Sequence, residues 1–511
     1  MSTFYKSITR NTILLYIRQI FIIFIAFFTQ RIVLKALGVE DYGIYNVVGG
    51  LIVIIGIVNA GMIQASQRFF AYEMGRGDSS ELRIMFGTSL TIHIIISIVV
   101  LLVAEVVGLW FLNTQMNIPP DRMLAANSIY QASICSLLLI ICVVPFDALI
   151  ISKEDFDIYA YISILEYILK FIIAYLIYSL ECLDRLIIYS WLLFAVTLVS
   201  KGFSVFFAKK RYEECGFKFY KGKENVRRML SFASFSFLGN IGFILRNQGV
   251  NIVVNIFWGT AINAARGIAY QVSSQISSFS GNFQLAATPQ ITKSYANGDL
   301  IRMRSLIYKS SKYSFCLLFL LALPIAIHPY PLLKFWLENP PLYSDRFLQL
   351  AIIVSLLDCM AIPLGKGIDA TGRIKVFQSG ICIIMCMDIP LAFLIYTMGA
   401  QCYEVMFVSI VTSLLGLIFR LIVLSYRIKL ITIISYIRNV FFPCLITTVV
   451  DALAAYFLYN TLFTSDNLLL YILYVVLVCI LSVVTIYFVC LEEKEKVKIN
   501  NIIRKTTCRI F

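Results

Sequence analysis

ALGVEDYGIYNVVGGLIVIIGIVNAGMIQASQRFFAYEMGRGD, residues 36–78, sets a glycine between two apolar stretches and closes on Gly77-Asp78. Shifting the sequence by 221 residues places Gly38 on Gly259, Gly77-Asp78 on Gly298-Asp299 and Arg83 on Arg304. Each copy reads as an apolar helix, a glycine-containing turn, a second helix, and a GD loop before a basic residue. Repeats of this kind build transporters from duplicated helical bundles.

Working outward, the rest of the chain agrees. Sixty per cent of the 511 residues are hydrophobic and 14% are charged, against roughly 25% charged in soluble domains. A spanning helix needs about 20 mostly apolar residues. Fourteen runs qualify: 12–34, 43–63, 84–112, 124–151, 158–180, 186–208, 230–257, 264–287, 313–333, 347–369, 377–397, 404–425, 439–461 and 468–490. The first run is too long for a signal-peptide core and stays as a helix. Of the 43 Lys and Arg, roughly thirty fall in loops on one side. Only Lys35, Arg122, Arg185, Lys334 and Arg346 fall in loops on the other. The positive-inside rule then places both termini in the cytoplasm. The expected fold is an all-α polytopic membrane protein of about 14 helices. Two six-helix lobes are related by a pseudo-two-fold axis along the membrane normal, and two helices are appended. The expected boundaries are 1–208 for the first lobe, 209–228 for a basic cytoplasmic linker and 229–428 for the second lobe. Helices 13 and 14 occupy 429–490, and 491–511 is a cytoplasmic tail.

Several functions are excluded. The net charge of +14 is spread over loops flanking spans, which does not fit a nucleic-acid partner. No P-loop occurs, so direct use of ATP is not expected. No nucleophile–base constellation is visible, and the chain is not expected to be an enzyme. A membrane polysaccharide polymerase or ligase shares the hydropathy, but would carry a large external loop. The longest here, Lys334 to Arg346, is about 13 residues. The thirteen cysteines lack zinc or CxxC spacing, Cys382 and Cys386 coming nearest, and read as packing residues. His93 and His328 suggest no metal site, and His93 reads as a satisfied interior group.

The polar residues inside spans carry the functional signal. Span seven contains FILRNQGVNIVVN, residues 243–255. Asn247, Asn251 and Asn255 recur every four residues and form one stripe, bordered by Gln248. Arg246 lies fifteen residues beyond Ser231, about 22 Å along a helix. A central Arg costs at least ~2.5–3.5 kcal/mol on insertion scales, so this face is turned from lipid. Span eight adds Arg266, Gln271, Gln275 and Asn282, with Ser273, Ser277 and Gly281 at four-residue spacing. That seam serves close helix packing or a cavity wall. Span one carries Arg18, Gln19, Gln30 and Arg31, and Arg18 either snorkels or faces a cavity. Glu166 and Lys170 form an i,i+4 pair, and Lys201 and Arg420 are placed to snorkel. Asp358, Asp388 and Asp451 are candidates for H+ or Na+ coupling, or partners for the arginines. Pro145, Pro324, Pro363 and Pro390 are expected to kink their helices.

Leu37-Gly38-Val39-Glu40-Asp41-Tyr42-Gly43 fits an LG-x-x-x-[YF]-G turn, and Arg68-Phe69 ends the second helix. Over these roughly 70 residues the chain resembles the polysaccharide-unit flippases (Wzx-type, O-antigen translocases). These belong to the multidrug/oligosaccharidyl-lipid/polysaccharide exporter superfamily, whose architecture is MATE-like. The second copy, WGTAINAARG, departs from the turn pattern. The resemblance implies alternating access through a cationic central cavity. It implies a polyprenyl-diphosphate-linked oligosaccharide as cargo, moved between leaflets of a bacterial inner membrane. Membrane lipids and polysaccharide assembly proteins would be its partners, and no cofactor would be needed. Basic residues on spans one, two, seven and eight would hold the anionic head. That casts Arg18, Arg31, Arg246 and Arg266 as phosphate ligands, since the guanidinium fork suits phosphate oxygens. Asn247, Gln248, Asn251, Asn255 and Gln271 would meet the sugars. Arg68 would be an entry contact, a role that topology alone also explains. A drug or metabolite antiporter of the same superfamily, coupled to a cation, is the alternative.

Overall fold

A computed structural model describes residues 2–56, 58–114, 118–179, 184–215, 222–337, 340–462, 468–493 and 495–497. Among them there is no strand. Ser2–Gly56 is broken at Gly38 (φ 78°, ψ 172°), giving α1 (2–37) and the start of α2 (39–56, then Val58–Arg76). Then come α3 (Ser79–Thr114), α4 (Pro120–Ser152), α5 (Phe156–Ser179) and α6 (Arg185–Arg211). Lys223–Ala296 is broken at Gly259 (φ 77°, ψ −176°), giving α7 (223–258) and α8 (260–296). The rest is α9 (Leu300–Ile327), α10 (Ser344–Thr371), α11 (Lys375–Thr397), α12 (Val405–Arg427), α13 (Ile433–Asn460) and α14 (Leu469–Cys490). A short helix, Tyr330–Leu337, precedes α10.

The two glycine breaks share one backbone conformation, 221 residues apart. A positive φ near 78° is costly for any residue with a Cβ. The GD loops match as well. Gly77 N–H donates to Met74 O at 3.2 Å and Asp78 N–H to Glu73 O at 3.3 Å. Gly298 N–H donates to Tyr295 O and Asp299 N–H to Ser294 O, both at 3.0 Å. Both ends are Schellman closures, which satisfy carbonyls that a helix terminus leaves open.

Twelve helices are long and apolar enough to cross a membrane. The expected span 264–287 falls on α8, whose amides, serines and arginine leave it below that threshold. The expected span 43–63 falls on α2 and includes residue 57, which lies outside the described residues. Length and hydropathy count twelve among the described residues.

Two compact units divide the chain. One comprises Met1–Asn240 with Thr292–Asp299, the other Ile241–Ile291 with Leu300–Phe511. The division falls inside α7, beyond the basic segment 209–228. In the first unit α3 packs on α4, α4 on α6 and α5 on α6. In the second, α9 packs on α10, α10 on α12 and α11 on α12. The same adjacency repeats. α13 and α14 pack on each other and on α9.

Local chemistry explains the irregular points. A π turn at Ala104–Gly108 in α3 receives Tyr130, whose hydroxyl donates to Ala104 O at 2.7 Å. A Cβ on Gly108 would sit 1.9 Å from that hydroxyl, so only glycine admits it. Arg122 holds Asp41 at 2.5 Å and Asp184 at 2.8 Å, tying α2 to the start of α6. Pro390 has no N–H for the Cys386 carbonyl, and α11 is interrupted at Met387. Asp388 opens the segment that follows.

Candidate functional site

In the second unit, α7, α8 and α10 enclose a cavity of about 510 Å³. α7 contributes Phe243, Arg246 and Asn247, three and four residues apart and so on one face. α8 contributes Tyr270, Gln271, Ser274, Ser277 and Gln284, and α10 contributes Ser355, Asp358 and Cys359. Two contacts fix the wall. Ser273 Oγ lies 2.8 Å from Ser355 Oγ. Gln284 Nε2 donates to Cys359 O at 3.0 Å and to Ser314 Oγ at 3.2 Å.

Arg246 forms the base of this site and is 2% exposed. Its Nε donates to Asp388 Oδ2 at 2.9 Å and its Nη1 to Asp358 Oδ2 at 3.4 Å. Its Nη2 donates to Ser409 O and to Ser413 Oγ, both at 2.7 Å. Ser409 Oγ donates to the same Asp388 oxygen at 2.8 Å. The guanidinium is thus engaged on all three nitrogens. Two acids, 112 and 142 residues away in sequence, face one cation. At this cavity the positive charge of Arg246 is offset by the two carboxylates. Asp358, 24% exposed, is the acid that reaches the cavity, while Asp388 is 0% exposed.

The expected amide stripe divides three ways. Asn247 lines the cavity. Asn251 accepts from Arg266 Nη1 and donates to Gln248 Oε1 at 3.2 Å. Asn255 is exposed and outside the cavity lining, as is Gln248. Arg266 is 2% exposed, donates to Asn247 O at 3.3 Å and lies 4.4 Å over the Tyr270 ring. Its Nε and Nη2 have no hydrogen-bond partner, an uncommon state for buried donors. Gln271 lines the cavity.

The first-unit candidates are separate residues on their own helices. Arg18 is buried against Ser163 Oγ at 3.4 Å and the Tyr159 ring at 4.9 Å, so it does not snorkel. Arg31 is exposed on α1. Arg68 lies over Phe69 and Tyr72 at 4.6 and 4.8 Å. Gln30's side chain lies outside the described residues. Lys201 pairs with Asp147 at 2.7 Å instead of snorkelling, because an acid sits opposite it on α4. Glu166 and Lys170 pair at 2.6 Å. His93 is not fully satisfied: Nδ1 lies 2.7 Å from Ser89 O, while Nε2 has no partner. Asp451 meets Thr485 rather than an arginine.

Sequence reading missed Tyr270, Ser355, Ser409 and Ser413. A hydroxyl on an apolar helix is too common to single out without its neighbours. Among the described residues no cluster of His, Cys, Asp and Glu could hold a metal ion.

No protein-family model matches the sequence, and no curated protein matches it significantly. Solved structures do. An outward-facing multidrug-resistance MATE transporter of the MOP superfamily superposes with a TM-score of 0.70 at 12% identity, over 83% of this chain and 96% of that one. A MATE protein in a straight conformation gives 0.70 at 13%, over 82% and 96%. A MOP-superfamily transporter from Pyrococcus furiosus, described as having a binding pocket of reversed polarity, gives 0.66 at 14%, over 82% and 96%. The chain has the MATE-like transporter fold.

Proposed function

We propose that the chain is a flippase. Its cargo would be a polyprenyl-diphosphate-linked oligosaccharide, moved from the cytoplasmic to the outer leaflet of a bacterial inner membrane for surface polysaccharide assembly. The observation that carries this reading is the amide and hydroxyl wall of the second-unit cavity: Asn247, Gln271, Ser274, Ser277 and Ser355. Such groups match sugar hydroxyls as donors and as acceptors. For the diphosphate, Arg266 is better equipped than Arg246. Its Nε and Nη2 are unpartnered, whereas Arg246 is spent on two carboxylates. Arg18 and Arg31 would be further anion contacts, and the Lys/Arg asymmetry supports cytoplasmic termini. H+ or Na+ coupling would run through Asp358 and Asp388, whose protonation or ligation competes with their pairing to Arg246.

One observation favours a cation-coupled drug antiporter instead: Asp358 is the acid that reaches the cavity. Proteoliposomes separate the two readings. The flippase reading expects translocation of a lipid-diphosphate oligosaccharide, lost in Asn247→Leu/Gln271→Leu at unchanged melting temperature. Export of an organic cation that Asp358→Asn abolishes, with no movement of the glycolipid, refutes it.

A further inference from the structure

α13 and α14 lie outside the duplicated set of helices, yet they bury an acid. Asp451 on α13 is 0% exposed. Its Oδ2 accepts a hydrogen bond from Thr485 Oγ1 of α14 at 2.8 Å. Beside the carboxyl lies Ser482, three residues before Thr485 and on the same face of α14, its fully buried hydroxyl next to Asp451. Among the described residues no other group reaches Oδ1 or the Ser482 hydroxyl.

Among the described residues no Lys or Arg pairs with Asp451, and the titratable neighbour beside it is Cys490 of α14. On α9, Lys312 lies toward Cys490, and Lys309, one turn earlier, is engaged by Glu495 at 2.7 Å and Glu492 at 3.5 Å. The contrast with Asp388 is direct. Both acids are fully buried, but Asp388 faces a guanidinium at 2.9 Å, whereas Asp451 meets the hydroxyls of Thr485 and Ser482.

An ionised carboxylate held out of water by neutral groups is strongly disfavoured, more so inside a membrane. Two neutral hydroxyls, from Thr485 and Ser482, are little compensation for a buried charge. One small cation meets that need. A proton on Oδ1 would donate to Ser482 Oγ. A sodium ion would be ligated by the same oxygens, the hard donors that hard cations take. The last turn of α14, Ile486–Cys490, is a π turn that begins directly after Thr485. Such turns are frequent at functional sites.

We propose that Asp451, Ser482 and Thr485 form an exchangeable site for one monovalent cation, a proton or a sodium ion, within the appended helix pair. The site is separate from the Arg246 cluster and does not depend on the nature of the cargo. In the proton case the only bond formed on loading is O–H at Oδ1, and release returns the carboxylate and H+.

Infrared difference spectroscopy of the full-length protein in lipid nanodiscs, wild type minus Asp451→Asn, tests this. The spectra are taken in choline and in sodium buffers from mildly acidic to mildly alkaline pH. A proton site shows a protonated-acid carbonyl band that is absent from the variant, shifts in D2O and fades as the pH rises, with or without sodium. A sodium site shows that band lost on adding sodium at constant pH. Carboxylate bands alone that ignore pH and sodium overturn the proposal. So does a protonated band that responds to neither. Ser482→Ala keeps the acid and should move the band to higher frequency by removing its acceptor. If Asp451→Asn does not accumulate, Ser482→Ala carries the test, and an unmoved spectrum refutes the pairing.

Discussion

Lys201 in the first unit and Arg246 in the second are both cations set within long apolar helices, and they are neutralised differently. Lys201 has one acid, Asp147 at 2.7 Å, and both side chains keep about a fifth of their surface exposed. Arg246 has two acids, a carbonyl and a hydroxyl, and is almost wholly enclosed. An ammonium is a point charge, whereas a guanidinium presents five donors in a fixed fork and can bridge several elements. Arg246 therefore joins α7, α10, α11 and α12, while Lys201 joins only α4 and α6. The difference teaches that the chemistry of the cation sets how many helices it ties together: Arg246 is a hub on which a polar cavity rests, and Lys201 is one half of a pair.

The largest expected effect separates the hub from the pair. Arg246→Ala strands the buried Asp388 and should destabilise the protein by about 3–5 kcal/mol, read as poor accumulation and a lowered melting temperature in detergent. Arg246→Met with Asp388→Leu should recover most of that loss. A stable single variant would mean that Arg246 is no hub. Next, Lys201→Ala should cost about 1.5–3 kcal/mol, the range for a hydrogen bond to a charged group. A cost equal to that of Arg246→Ala in the same melting assay would erase the distinction between the units.

Gly38→Ala and Gly259→Ala probe what the copies share. A Cβ at either position would meet no atom within 4 Å. The penalty is then backbone alone, roughly 1–3 kcal/mol, and the two melting shifts should agree. Unequal shifts would show that the joints are not equivalent. The smallest effect concerns the segment after α14, which has no counterpart in the first unit. Burial pushes the Glu495 carboxyl up, but hydrogen bonds from Lys309 and Tyr313 outweigh it and hold the group below its ordinary range. A depressed folded pKa contributes stability above the unfolded value of about 4.3 and loses it as the pH falls through the folded value. Glu495→Gln should therefore melt lower than wild type at neutral pH, by about 1 kcal/mol, and the gap should close in acid.

Much of the fold was legible because it is local. Hydropathy located the helices, and the 221-residue offset found both glycine breaks and both GD closures. The site was legible only by face. Helical spacing turns Arg246 and Asn247 away from lipid, but spacing on α7 says nothing of where α10, α11 and α12 present Asp358, Asp388 and Ser409. The charge of Arg246 was visible and its cancellation was not, because the partners lie 112 and 142 residues away. Lys201 and Asp147 show the same limit on a smaller scale. Lys201 read as placed to snorkel and Asp147 was not singled out, because spacing on α6 does not show which face of α4 lies opposite.

The paired closures at Gly77 and Gly298 also bear on the order of assembly. Each settles its open carbonyls with N–H groups three and five residues downstream, so the turn needs nothing from the remainder of the chain. Asp78 then caps the next helix by accepting from Ser80 N–H at 3.1 Å and Glu81 N–H at 3.0 Å. α2 and α3 thus meet at a corner whose Schellman closure and helix cap both lie within nine consecutive residues, 73–81. Contacts of such short sequence separation form early and at little entropic cost. The joins through Arg246 span 112 and 142 residues and carry a far larger loop-closure cost than this corner does.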